Sequence, residues 1–162
     1  MLRPVNDSDF EFAYDFYMDS RVNPFMSFEV MSKGDFKDIW DELKGSSFFL
    51  AFDDQNKNLV GLCTLKKSVR RSAHVARLGS LVVNPSLQRQ GIGKSFMKEL
   101  FRFSLEKGIR RLDLMVEEDN VQAINFYKKL DFVEEGRLSH YFKRESSPQF
   151  VSEVLMAKFL SG

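Results

Sequence analysis

Leu81-Val82-Val83-Asn84-Pro85-Ser86-Leu87-Gln88-Arg89-Gln90-Gly91-Ile92-Gly93-Lys94 is the stretch whose reading decides the fold. An apolar run stops at Asn84-Pro85, and a Gln-x-x-Gly-x-Gly turn begins at Gln88. A helical pattern then starts at once, with Ile92, Phe96, Leu100 and Phe103 along one face and Gly108 as its end. Strand, glycine loop and helix N-terminus in that order form a cradle for a pyrophosphate. The first N–H groups of a helix lack intrahelical partners and carry partial positive charge. Glycine at 91 and 93 is expected to remove Cβ atoms that would hold a phosphate away from them.

Two common phosphate loops fail at one defined position each. A P-loop would need glycine where Gln88 stands, although Gly93-Lys94-Ser95 matches its end. A dinucleotide fingerprint would need its third glycine where Phe96 stands.

Upstream, Leu2–Val5 predicts a short strand. Asn6 or Asp7 can cap a helix bearing Phe10, Ala13, Phe16 and Tyr17. Asp35 can cap a second helix, where Phe36, Ile39, Trp40 and Leu43 share a face. Phe48–Phe52 and Leu59–Leu65 predict a hairpin around Asp53–Asn58, and a longer strand runs from about His74 to Val83. Gly79 inside that strand suggests a bulge or a close backbone approach. Downstream, Leu112–Val116 predicts a strand and Asn120–Leu130 a helix. Phe132 to about Phe142 and Phe150–Phe159 predict a final antiparallel pair. The strand–helix–strand step over residues 74–116 implies one parallel pair.

With 162 residues, 43% of them hydrophobic and 17 of them Phe, one domain spanning 1–162 with a large core is expected. A net charge of +1 gives no bulk attraction to nucleic acid or a membrane surface. No apolar run nears the roughly 20 residues of a bilayer span, and the acidic start Asp7, Asp9, Glu11 is unlike a signal peptide. Cys63 is the lone cysteine, which fits a reducing, cytoplasmic setting and reads as a small core residue. Two His and one Cys at unrelated spacings make no metal-ligand set, so no metal is expected.

A second block reads Val116-Glu117-Glu118-Asp119-Asn120-Val121-Gln122-Ala123-Ile124-Asn125-Phe126-Tyr127-Lys128-Lys129-Leu130-Asp131-Phe132. Together with Gln88-Arg89-Gln90-Gly91-Ile92-Gly93 it resembles the GNAT superfamily of acetyl-CoA-dependent N-acetyltransferases. That family pairs a Gln/Arg-x-x-Gly-x-Gly/Ala loop with Asn-x-x-Ala, Phe-Tyr, a basic residue and Gly-Phe. The match spans roughly residues 72–142. The stretches Arg70–Gly79 and Glu135-Gly136-Arg137-Leu138 with Tyr141 resemble the bacterial amino-acid and small-amine branch. Asp131 departs from the usual glycine, at a position that often needs a left-handed backbone, which Asp tolerates.

The resemblance implies an α+β, three-layer α/β/α fold. One mixed, mostly antiparallel sheet of about seven strands would be flanked by about four helices. It implies acetyl-CoA as co-substrate and direct transfer in a ternary complex to a primary amine, a free amino acid or small amine. The rivals are a protein or peptide N-terminus as acceptor, and a non-catalytic acyl-CoA-binding module. A homodimer is compatible with all three. On this resemblance, Leu81, Val82 and Val83 form the strand along which the cofactor's amides pair, beside the plainer reading of sheet pairing. Gln88, Arg89, Gln90, Gly91, Ile92, Gly93 and Lys94 form the pyrophosphate loop, although Arg89 and Lys94 are equally well surface charges.

Asn120 is a normal N-cap and, in the family, also a contact to the pantetheine arm; Ala123 follows it on the same face. Asp119 with Gln122 offers a capping box. Tyr127 reads as core from its helix face alone; the matched family position makes it the general acid to the leaving thiolate. Glu117 leads His74 and His140 as candidate base. The need for one is set by an alkylammonium with pKa ~10.4, which costs about 4.6 kcal/mol to neutralise at pH 7. Pocket walls are expected from Phe25–Glu29 and the loop near 141–149.

Overall fold

The chain folds as β1 (Leu2–Pro4), α1 (Phe10–Met18), α2 (Lys33–Lys44), β2 (Phe48–Asp53), β3 (Leu59–Lys67), β4 (Val75–Val83), α3 (Ile92–Glu106), β5 (Arg111–Glu117), α4 (Val121–Lys128), β6 (Val133–Lys143) and β7 (Phe150–Phe159). The structure, a computed structural model, describes residues 1–161. One seven-stranded sheet runs in the order β1-β2-β3-β4-β5-β7-β6. Every neighbouring pair is antiparallel except β4–β5, which α3 connects as a parallel step. This is the three-layer arrangement expected from the sequence.

Period-two alternation divides the apolar residues between the two faces of the sheet. On β2, Leu50 and Phe52 join Phe96, Met97 and Leu100 of α3 and Tyr127 of α4 in one core. Phe49 and Ala51 join Ala13, Phe16 and Tyr17 of α1 and Phe36 and Trp40 of α2 in the other. Seven successive positions of β3, Leu59–Leu65, are buried because both faces of this strand are covered. Cys63 lies fully buried in the α3-side core, and burial pushes its thiol well above the ordinary range, as suits a structural residue.

Helix boundaries follow local chemistry with two departures. Ser32, not Asp35, caps α2: its side chain accepts from the Asp35 N–H, and Asp35 sits in the first turn. The proposed Asp119–Gln122 box is also replaced, because Asn120 is the N-cap of α4 and its Oδ1 accepts from Ala123 N–H at 3.1 Å. Asn6 caps a short 3-10 turn, Asp7–Asp9, that leads into α1. Asp131 has φ 62, the left-handed conformation anticipated for it.

Candidate active site

The sheet splits between its two parallel strands. β4 and β5 pair only from Val75↔Arg111 to Arg77↔Asp113. Beyond that point β5 stays with β7 as far as Glu117↔Glu153, while β4 follows β3. The cause is a bulge: Leu62 faces Val82 and Thr64 faces Gly79, so β4 carries one extra residue there. Ser80 in the bulge has φ 47. Such an insertion bends a strand and breaks its ladder. The fully buried Tyr17 of α1 holds the bulge by donating its hydroxyl proton to the Ser80 carbonyl at 2.8 Å.

The split leaves one edge of β4 open. Asn84 N–H bonds to the Val60 carbonyl, so by alternation Val82 also faces β3. The N–H and C=O groups of Leu81 and Val83 therefore point into the split, ready to pair with an extended ligand. At the end of this edge, α3 begins without a side-chain cap and without an acidic residue in its first turn. Its N-terminal N–H groups are free for an anion. The two glycines of the loop act differently. Gly91 has φ 81 with open space on its Cβ side, as a phosphate cradle needs. A Cβ on Gly93 would instead lie 3.3 Å from the Phe126 ring, so glycine there lets α3 pack on α4 rather than clearing room for a ligand. Arg89, Gln90 and Lys94 are exposed, with Arg89 in a left-handed turn at φ 63.

A cavity of about 390 Å³ occupies the split. Of the residues singled out in the sequence, it brings together Leu81, Glu117, Asn120, Ala123 and Tyr127, along with Phe25, Met26 and Ser27 of one expected wall and Tyr141 and Phe142 of the other. It does not include Val82, which is buried toward α1 and α2, nor the loop Gln88–Lys94, which lies beyond its end. His74 and His140 are exposed and line no part of it. Burial raises the Tyr127 hydroxyl above its ordinary range, so it stays protonated and can serve as a proton donor.

Sequence reading missed three residues here. Arg77 of β4, at the last β4–β5 register pair before the split, lies 3.5 Å from Asp113 and lines the cavity. Gly79, where the sequence suggested a bulge or a close backbone approach, lines the cavity at that bulge. Arg144, in the loop after β6, makes two hydrogen bonds to Asp119 at 2.7 and 3.0 Å, bonds to Glu117 and donates to the Pro24 carbonyl at 3.0 Å. It stacks against Phe25 and Phe142 and so ties the two walls to the end of β5. Glu117 is 7% exposed. Its burial raises the carboxyl while the Arg144 guanidinium pulls it down, and the balance stands at about 7. Glu153 of β7 is the third: it lines the cavity opposite Glu117, and its Oε2 is shut from water with no hydrogen-bond partner. Glu153 and Arg144 belong to no motif, so only the folded contacts reveal them. Among the described residues, no group of three or more His, Cys, Asp or Glu is arranged to hold a metal ion, and no helix is long and apolar enough to cross a membrane.

An open strand edge running into an uncapped helix N-terminus suits a ligand with amides at one end and a pyrophosphate at the other. Comparison with known proteins agrees. The sequence model of the Acetyltransferase (GNAT) family matches residues 10–132. The chain is 30% identical over 125 residues to N-alpha-acetyltransferase 30 of Dictyostelium discoideum, covering 77% of this chain and 64% of that protein's length. It is 24% identical over 171 residues to spermidine N(1)-acetyltransferase of Vibrio cholerae, covering 99% and 95%. The Vibrio cholerae spermidine N-acetyltransferase solved with CoA and spermine shares the fold, with a TM-score of 0.83 at 18% identity over 99% of this chain and 95% of that one. The chain belongs to the GNAT family of acetyl-CoA-dependent acetyltransferases.

Proposed function

We propose that the protein transfers the acetyl group of acetyl-CoA directly to the primary amine of a small, cationic acceptor. The observation that carries this reading is the cavity in the split, where apolar and aromatic walls from Phe25, Met26, Tyr141 and Phe142 meet two carboxylates, Glu117 and Glu153. Such a lining suits an alkylammonium. The near full-length similarity to a spermidine N(1)-acetyltransferase supports the same class of acceptor.

Acetyl-CoA lies with its amides along Leu81 and Val83 and its pyrophosphate at Gln88–Lys94. The Asn120 Oδ1 is used by the helix cap, which leaves the amide NH2 to donate to the pantetheine arm. The acceptor ammonium first loses one proton. The nitrogen lone pair then attacks the thioester carbonyl carbon, and the C–N bond forms. The C–S bond breaks as the tetrahedral intermediate collapses. The sulfur leaves with the electron pair and takes the Tyr127 hydroxyl proton. The nitrogen gives up its second proton, which restores Tyr127. The sum is amide, CoA thiol and one proton.

The test is thiol release from acetyl-CoA across a panel of alkylamines, diamines, amino acids and peptides. Turnover confined to amines lacking a carboxylate supports the proposal. Preference for peptides would move the acceptor to a polypeptide N-terminus, the reading favoured by the Dictyostelium relative's name. Acetyl-CoA binding without turnover on any acceptor would leave a binding module.

A further inference from the structure

Resting on that acetyl-transfer reading, we propose that Glu153, not Glu117, is the carboxylate that binds the acceptor ammonium and receives its proton. The two residues are register partners on β7 and β5 and line the same cavity. They differ in what holds them. Glu117 is bonded to Arg144, which also grips Asp119 and Pro24, so its charge is committed to tying the cavity walls together. Glu153 has no such partner: its Oε2 is removed from water and receives no hydrogen bond. A buried carboxylate oxygen without a donor is costly. Glu153 also lines the cavity, so the N–H of an entering ligand can supply the donor that the protein does not.

The surroundings favour this division. From β4, Arg77 is the one cation among the described residues lining the cavity, and it lies 3.5 Å from Asp113. From β5, Glu117 faces Glu153 with like charge. From β6, Leu138 lies across from Glu153 and brings no charge, while the neighbouring Arg137 pairs with Glu118 and reaches Ser152 at 3.3 Å. From the loop after β6, Arg144 acts through Glu117. Burial raises the Glu153 carboxyl and outweighs the opposing pull of the Arg77 charge, which makes it a better proton acceptor than an exposed glutamate.

The ammonium N–H donates to the Glu153 carboxylate where it lines the cavity, and the proton passes to that carboxylate directly or through one water. The carboxylate becomes a carboxylic acid and the amine becomes a neutral nucleophile. After product leaves, the proton returns to solvent. The same geometry sets the acceptor class: a carboxylate beside the amine would face both Glu117 and Glu153, so amines without one are preferred.

The experiment compares Glu153→Gln and Glu117→Gln with the wild type, using propylamine and trifluoroethylamine across a pH range. Trifluoroethylamine is already neutral near pH 7 and needs no base. E153Q should lower kcat/KM for propylamine about 100-fold or more near pH 7, yet keep trifluoroethylamine turnover close to wild type. Its kcat/KM for propylamine should climb with pH as far as the amine's own pKa, with no earlier plateau. The retained trifluoroethylamine rate reports that the variant is folded. An equal loss with both amines, no loss with either, or this signature in E117Q instead would overturn the assignment while leaving acetyl transfer intact. If the wild type releases thiol with neither amine nor any other acceptor, the assignment and the acetyl-transfer reading both fall.

Discussion

Replacing Arg144 with methionine separates its electrostatic role from its packing. The methionine keeps an apolar side chain against Phe25 and Phe142 but removes the charge and every hydrogen bond. The Asp119 side chain is 49% exposed, so losing that pair costs at most about 1 kcal/mol. The Glu117 side chain is 8% exposed and Arg144 18%. Removing one partner of a buried pair costs roughly 3–5 kcal/mol, and the residual access of water at Arg144 brings the expected value to about 2–3 kcal/mol.

The sign of the pH dependence follows from Glu117. Its carboxyl in the folded protein stands at about 7, above the ordinary value. The unfolded chain has it near ~4.3. Between these values the folded state holds the extra proton, so stability falls as pH rises through this window. Without Arg144 the group that lowers this carboxyl is gone, and the window extends upward. Near pH 5 Glu117 is protonated in both proteins, and R144M should lose only the Asp119 pair and the bond to Pro24. At about pH 8.5 it should lose roughly 2–3 kcal/mol more, or about 4–12 °C in Tm for a chain of this size. Urea unfolding at the two pH values measures this. An equal destabilisation at both would refute the idea that Arg144 acts by stabilising the ionised Glu117.

Three further outcomes are expected. Tyr17→Phe leaves the Ser80 carbonyl without its donor, costs about 1–3 kcal/mol and relaxes the bulge; KM for acetyl-CoA should rise more than kcat falls, and an unchanged KM would detach the bulge from cofactor binding. Gly93→Ala presses a Cβ to 3.3 Å from Phe126 and shifts the start of α3, so calorimetry should show weaker CoA binding together with about 1 kcal/mol or more of lost stability. Tyr127→Phe should slow thiol release without abolishing it, because a thiol of pKa ~8.5 is a fair leaving group unaided; complete loss would give Tyr127 a larger part than proton donation.

The proposed donor half of the site is read from the sequence because its chemistry is local. A pyrophosphate cradle needs a strand, a turn with left-handed backbone and a helix N-terminus in succession. Gly91 and the N-cap Asn120 announce these within a few residues of the groups they serve. Element order was legible for the same reason, since periodicity and punctuation act over short spans. The departures are instructive. Ser32 displaces Asp35 as cap because two suitable side chains stand within one turn, and a cap is chosen by where the backbone turns. Gly93 reads as a phosphate-facing glycine in the motif, yet its missing Cβ makes room for Phe126, a residue on another helix.

Of the acceptor half only the walls near Phe25 and Tyr141 are anticipated; its charged groups are not legible because they are assembled by register. Glu117 and Glu153 stand 36 positions apart in the chain and meet only because β5 pairs with β7 over its full length. Arg144 reaches Pro24 across 120 positions; its loop is an expected pocket wall, but nothing in the sequence singles out this arginine. Neither contact leaves a period or a spacing to read. What the sequence did contain was the candidate Glu117, the acid at the end of a strand beside the cofactor path. The fold turns that candidate into a partner for Arg144 and hands the open position to the residue across the ladder. A one-residue slip of β7 against β5 would turn Glu153 to the opposite face of the sheet, so the acceptor site depends on a pairing that the cofactor motif does not encode.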